Sequence, residues 1–192
     1  METPYTREWF KYYEGITRSS AQVIVPLVMD LIRPKSVVDV GCGTGVWLSE
    51  FVAAGITDYL GFDGNWIDCE DLFIPFNKFG VINLTELQKI PPSSGFDLVV
   101  CLEVAEHIAG IHAPELVQYL TNLTTSHVLF SAATPGQGGT DHVNEQPHEY
   151  WQELFAARGY VRSDPIRPLI ADNELVARWY RNNIFVFTRA GK

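Results

Sequence analysis

Gly41, Gly43 and Gly45 stand at alternate positions, directly after the apolar run Val37-Val38-Asp39-Val40 and directly before Val46-Trp47-Leu48. A glycine has no Cβ to keep a ligand away from the main chain, and the first turn of a following helix offers unpaired N–H donors and a positive dipole end. A carboxylate or a phosphate suits such a turn. Val46 occupies the third glycine position of the dinucleotide fingerprint G-x-G-x-x-G, so the spacing here is G-x-G-x-G and the nicotinamide reading is weakened. A tight structural connection is the plainer alternative. About 20 residues on, Leu60-Gly61-Phe62-Asp63-Gly64 puts a carboxylate at a strand end, where it can accept both hydroxyl protons of a ribose or simply form a turn.

A third group can move protons. Glu103, Glu106 and His107 are spaced i, i+3, i+4, and they point to one side if a helix begins right after the strand that precedes them. His142 lies in a polar stretch, Thr140 to Trp151, that reads as an acceptor wall or, through Asn144 and Glu145, as the cap of a helix start. An imidazole with an ordinary pKa of about 6.5 suits a general base near neutral pH, which singles out His107 and His142, while structural hydrogen bonding is the alternative for both. His112 and His148 read as surface or capping residues.

The elements that must position these groups alternate. Candidate strands Ser36–Val40, Tyr59–Asp63, Val81–Leu84, Asp97–Glu103 and His127–Ala132 are separated by candidate helices Ser19–Leu31, Val46–Ala54, Pro114–Leu123 and Pro147–Arg158. This is the pattern of βαβ units on a parallel sheet, an α/β fold, with Tyr160–Arg162 and Asn183–Thr188 able to add an antiparallel edge. Pro91–Gly95 and the glycine-rich Thr134–Asp141 read as turns. The first 18 residues carry Trp9, Phe10, Tyr12 and Tyr13, too aromatic for a solvated tail, and predict a lid or a core-closing or dimer-forming helix.

A length of 192 residues favours one unit, read as residues 1–33 (N-terminal lid or helices) on a core of 34–192. With 46% hydrophobic and 19% charged residues the chain is expected to fold rather than remain disordered. Its net charge of −9 disfavours nucleic acid and anionic lipid as partners. Three cysteines, Cys42, Cys69 and Cys101, without CxxC spacing predict reduced thiols and a cytoplasmic location, and no uninterrupted apolar run is long enough to predict a membrane span.

Val37 to Gly45, Leu60 to Asp63 and Phe96 to Ile108 together resemble the class I S-adenosylmethionine-dependent methyltransferases, and Phe130 to Gly136 with His142 to Trp151 are similar to later segments of a bacterial subgroup. The resemblance implies a Rossmann-like seven-stranded mixed sheet flanked by helices, with the last strand antiparallel. It implies that Asp39, Gly41, Cys42 and Gly43 border the methionine half of the cofactor, that Asp63 holds the ribose, and that Gly64 and Trp66 lie near the adenine. Asn83 and Leu84 correspond to the segment that recognises the adenine edge, and Leu102 and Glu103 to the sulfonium end, with Glu103 also able to pair with the methionine amino group. Tyr13 or Arg18 is expected at the methionine carboxylate. The Glu-x-x-Glu-His spacing resembles that of ubiquinone-pathway O-methyltransferases and small-RNA ribose methyltransferases, which adds Glu106 to the catalytic candidates. It also makes Glu103, Glu106, His107 and His142 candidate ligands of a divalent metal. The expected activity is O-methylation of a polar small molecule, with a non-catalytic cofactor-binding subunit and an RNA ribose methyltransferase as alternatives.

Overall fold

The computed structural model describes residues 4–87 and 95–191. The chain runs α1 (Arg7–Ile32), β1 (Ser36–Val40), α2 (Val46–Ala53), β2 (Asp58–Asp63), β3 (Phe79–Val81) and β4 (Phe96–Leu102). It continues as α3 (Ala113–Leu123), β5 (Thr124–Ser131), α4 (His148–Ala156), β6 (Tyr160–Ser163), α5 (Arg167–Ile170), α6 (Arg178–Asn183) and β7 (Phe185–Arg189). The sheet order is β3-β2-β1-β4-β5-β7-β6, with β7 antiparallel to both of its neighbours and every other pairing parallel. The expected mixed seven-stranded architecture is therefore present.

The central strands are apolar on both faces because each face is covered. Val38, Val40, Val99, Cys101 and Phe130 meet α3 and α4 on one side, while Val37, Leu98, Val100 and Leu129 meet α1, α2 and the segment Ile166–Ile184 on the other. Parallel strands that end together leave their carboxyl ends, Val40, Asp63 and Leu102, along one rim, and the order reverses between β1 and β4.

Three expectations need correction. Helix α1 starts at Arg7, not Ser19: the Thr6 hydroxyl caps it by accepting from the Trp9 amide at 3.3 Å, and Arg33 closes it in the left-handed region at φ 53. By length and composition α1 could cross a membrane, but Ala21, Ile24, Val25 and Val28 are packed into the core here. The third strand is Phe79–Val81, since its partner β2 ends at Asp63, opposite Val81; Asn83 and Leu84 lie beyond it, where Asn83 Oδ1 accepts from the Thr85 amide. Finally, no α-helix follows β4 directly. Glu103 sits at φ 54 and Ala105–His107 form one 3-10 turn, because the Glu106 carbonyl accepts the Val143 and Asn144 amides at 2.9 and 3.0 Å instead of serving a helix. Within the turn expected at Pro91–Gly95, residues 91–94 lie outside the described residues.

Candidate active site

Along the carboxyl rim lies a cleft of about 610 Å³. Its floor is the glycine turn, where Gly41, Gly43 and Gly45 all have positive φ (82°, 54° and 82°), a conformation that side-chain-bearing residues rarely adopt. A Cβ on Gly41 would run into Val104, so glycine there also lets the β1 and β4 ends close up. The packing expected of a third fingerprint glycine comes instead from Gly61 on β2. A Cβ there would stand 2.8 Å from Cys42 Sγ and 2.9 Å from Leu48. Cys42 therefore offers the cleft its main chain and turns its buried thiol toward the sheet.

Asp63 ties strand to turn. Its Oδ2 accepts from the Gly43 amide at 2.7 Å and its Oδ1 from the Gly64 amide at 2.6 Å. Burial raises its pKa, while these hydrogen bonds and one from Trp66 oppose the rise. Four lone-pair sites on a carboxylate leave capacity for one further donor beside these three, and for two, such as both ribose hydroxyls, once Trp66 gives up its own. Trp66 folds back over Gly64, where a Cβ would strike the indole. Of the eleven residues expected along the cofactor between Asp39 and Glu103, Asp39 alone does not reach the cleft. It lies beneath the turn, buried, with Oδ2 lacking a hydrogen-bond partner and its pKa raised by burial and by the charge of Asp63. The remaining ten, Gly41, Cys42, Gly43, Asp63, Gly64, Trp66, Asn83, Leu84, Leu102 and Glu103, all line it.

At the far end the proton-moving candidates converge although the expected helix is absent. Glu106, His107 and His142 each present a ligand atom within 4.8 Å of the others. Glu106 is fully buried and neither carboxyl oxygen makes a well-formed hydrogen bond, although its own amide, that of Ala133 and the Glu103 carboxyl lie beside it; burial, then the neighbouring charge of Glu103, drives its pKa well up. The His107 pKa is lowered, first by burial and then by repulsion from His142. Glu103 lies beside Glu106 and is held by Gln137 Nε2 at 2.8 Å and Asn183 Nδ2 at 3.4 Å, while Asn183 Nδ2 also donates to Gln137 Oε1 at 2.7 Å. Burial raises its pKa against these donors.

Glu145 does not cap α4, whose N-cap is Pro147 with no side-chain hydrogen bond. Instead its carboxylate accepts from the amides of Gly136 and Gly138, each at 2.7 Å, and from His142 Nδ1 at 2.9 Å, pinning the glycine-rich loop and aiming His142. The His142 contact, followed by the Gly136 amide, lowers its pKa. His148 is not a surface residue either: its Nε2 lies 3.3 Å from Asn183 Oδ1, behind Glu103. His112 pairs at 3.7 Å with Glu115, as a helix-start residue should.

Aromatic rings close the cleft from α1 and the residues before it. Tyr5 stacks near Trp66 with ring centroids 5.5 Å apart, and its hydroxyl lies 2.9 Å from His107 Nδ1. Trp9, Phe10 and Tyr13 also face the cleft, Phe10 approaching the turn closely enough that a Cβ on Gly43 would stand 3.1 Å from it. Tyr13 is thus where a methionine carboxylate could meet it. Arg18 is not: it binds Ser49 and Glu50 at 3.3 and 3.0 Å and lies over the Phe73 ring. Tyr5, Gln137, Asp141 and Asn183 were not singled out from the sequence. Asn183 near the last strand and Gln137 in the glycine-rich loop carried only a weak signal, a polar residue in a segment flagged for other reasons.

A family model described as a methyltransferase domain matches residues 12–159. The chain belongs to this methyltransferase family. Its fold is that of class I methyltransferases, as solved structures make plain. The sugar N-methyltransferase KedS8 from Streptoalloteichus aligns with a TM-score of 0.71 at 14% identity, covering 98% of this chain and 95% of that one. Magnesium protoporphyrin IX methyltransferase ChlM from Synechocystis, solved with bound S-adenosylhomocysteine, gives 0.66 at 16% identity, covering 99% and 90%. The amino pentose methyltransferase CalS10 from Micromonospora echinaspora, solved with S-adenosylmethionine, gives 0.65 at 18%, covering 98% and 99%. Comparison with curated protein sequences finds no match. Methyltransferases with such different acceptors share this frame, so the acceptor has to be argued from the site.

Proposed function

We propose that the protein transfers the methyl group of S-adenosylmethionine to an oxygen of a polar small molecule, such as a sugar, a glycan precursor or a natural product. The observation that carries this reading is the coupling of the bare glycine turn to Asp63 through the 2.7 Å hydrogen bond, which brings a main-chain cradle and a ribose-sized acceptor group into one cleft. The methionine end fits against Gly41 to Gly43, the ribose against Asp63, and the adenine between Trp66 and the Asn83-Leu84 turn. Glu103, held by Gln137 and Asn183, faces the methionine amino group. Of the N-terminal segment, Tyr5 and the start of α1 act as a lid, while Ala21 to Val28 belong to the core.

The donor carries its own activated methyl group, so the chain's task is alignment, exclusion of water and removal of one proton. The acceptor oxygen forms the new O–CH3 bond as the S–CH3 bond breaks and its electron pair returns to sulfur. The hydroxyl proton passes to a histidine. His107 is suited to receive it, because burial keeps the imidazole neutral near neutral pH. The Asp141 carbonyl, 3.3 Å from Nδ1, favours the Nδ1–H tautomer and frees Nε2 as the base, with His142 beside it, aimed by Glu145.

A second reading rests on the same trio. Glu106, His107 and His142 fit a divalent cation of the Mn, Fe, Co or Zn type, since one carboxylate without a well-formed hydrogen bond and two imidazoles lie within ligand reach of one another. Bound there, it would supply a Lewis acid for the acceptor hydroxyl. Glu103, already committed to two amides, fits such an ion less well.

The test is a screen of sugars, phenols, amines and acidic metabolites read by release of S-adenosylhomocysteine, with and without chelator. Turnover of a hydroxylated polar pool is expected. Silence across every pool, with S-adenosylhomocysteine binding intact, would make the protein a binding subunit instead.

A further inference from the structure

The cleft is one-sided in charge. Glu14, Asp63, Glu103, Glu106 and Asp141 line it, and none of the described residues lining it is a lysine or an arginine. The arginines of α1 are occupied elsewhere: Arg7 pairs with Asp71 at 2.7 Å and Arg18 with Glu50 at 3.0 Å. S-adenosylmethionine answers part of this field, because it carries a sulfonium and an ammonium against a single carboxylate. In the reading above the ammonium is met by Glu103, and Asp63 is taken by the ribose hydroxyls. Glu14 pairs with Arg18 at 3.5 Å, which leaves Glu106 and Asp141 over.

Glu106 is an unusual remainder. A wholly buried carboxyl whose two oxygens make no well-formed hydrogen bond gets little in return for its lost hydration, an arrangement that costs free energy unless a ligand completes it. The place where that ligand would sit is marked by Tyr5. Its hydroxyl touches His107, and the charges of Asp141, Glu106 and Asp63 all bear on it. A protic group of the chain itself thus stands beside the proposed base, in the cleft that Asp63, Glu106 and Asp141 line. The surrounding walls are aromatic, with Tyr5, Trp9 and Trp66 in contact around the same point, and aromatic faces favour a cation over an anion.

We infer that the acceptor carries a positively charged amino group, seated by Glu106 and Asp141 where the Tyr5 hydroxyl now lies, so that the substrate is an amino-substituted polyol of the amino sugar kind rather than a phosphorylated, carboxylated or nucleotide-activated one. This rests on the methyltransferase reading and narrows it. The ammonium, having no lone pair, is not the methylated atom: held at Glu106, it would set a neighbouring hydroxyl against the histidine.

The experiment uses the full chain, treated with chelator and saturated with S-adenosylhomocysteine, and compares glucosamine, glucose and glucuronate by calorimetry. These share one ring and differ in charge. Glucosamine is expected to bind at least about tenfold more tightly than glucose, with no detectable heat from glucuronate. Glu106→Gln should abolish the preference and Asp141→Asn should weaken it, both with S-adenosylhomocysteine binding retained as proof of an intact fold. Equal binding of the three rings, no binding of any, a preference for glucuronate, or a glucosamine preference that survives in Glu106→Gln overturns the inference. So does loss of the preference on adding Mn(II), which would assign Glu106 to a metal ion. Failure of S-adenosylhomocysteine itself to bind overturns the underlying methyltransferase reading and this inference with it; a bound cofactor product without charge selection overturns this inference alone.

Discussion

His107 is pulled toward two tautomers. Its Nδ1 faces both the Tyr5 hydroxyl at 2.9 Å, which can donate to it, and the Asp141 carbonyl at 3.3 Å, which can only accept. Tyr5, its pKa pushed up to about 12 chiefly by burial, stays a neutral donor at any working pH. Removing Tyr5 from the cleft therefore leaves Asp141 to fix the proton on Nδ1 and releases Nε2 for catalysis. Because burial lowers the His107 pKa, the imidazole remains a competent base below pH 6.5, and the acidic limb of kcat/KM is expected below that value. The stability sign agrees: a histidine less readily protonated when folded adds stability above its unfolded pKa and loses it as pH falls toward the folded one. His107→Gln should lower kcat and remove that limb; a variant with the wild-type limb would show that another group titrates. Asp63→Ala should weaken S-adenosylhomocysteine binding by about 1 to 3 kcal/mol, read by calorimetry, because Asp63 holds both the turn and the proposed ribose contact. Unchanged affinity would remove Asp63 from the site.

The start of α1 together with Tyr5 is the element that stands between the cleft and solvent. Its closed position is held by the Arg7–Asp71 ion pair, by Phe10 on the glycine turn and by the Tyr5–Trp66 contact. Arg7 is about half exposed, so the pair adds little stability by itself, and the rings do most of the holding. Since Tyr5 lies in the space the cofactor and acceptor need, Tyr5→Ala should speed association of S-adenosylhomocysteine in stopped-flow fluorescence several-fold. An unchanged rate would mean that these residues do not gate entry. The sequence made the local parts of this site legible: a strand, three glycines and a helix in a row determine their own geometry, and Asp63 follows at a spacing set by one βαβ unit. The 3-10 turn at Ala105–His107 was not legible, because Val143 and Asn144, 37 and 38 residues on, decide where the Glu106 carbonyl points. The Glu103–Gln137–Asn183 network spans 80 residues and the Tyr5–His107 contact 102, separations at which local spacing carries no information. Glu145 illustrates the same limit, since a carboxylate before a helix reads as a cap until the loop amides at Gly136 and Gly138 claim it.

For the molecule as a whole, the sheet acts as the fixed plate and every candidate group stands on its carboxyl rim or on a segment reaching over it. The reversal of strand order between β1 and β4 opens the cleft there, and both apolar layers meet the plate so that the rim holds its shape. α1 is the element whose membership could be doubted on hydropathy, being long and apolar enough to cross a membrane by length and composition. Its packed stripe makes a different claim. Ile24, fully buried against the second apolar layer, should cost about 2 to 5 kcal/mol when cut to alanine, seen as a lowered Tm of the purified protein. An unchanged Tm would mean that α1 does not belong to this core.

The central claim is that one crevice takes the amino-acid tail on main chain and the sugar on Asp63. A crystal structure of the protein with S-adenosylhomocysteine tests it most directly. The account predicts the homocysteine moiety against Gly41 to Gly43, both ribose hydroxyls within hydrogen-bonding distance of Asp63, and the Tyr5 hydroxyl moved off His107. A ligand bound elsewhere, or a crevice still filled by Tyr5 and Trp66 at saturating ligand, would contradict it.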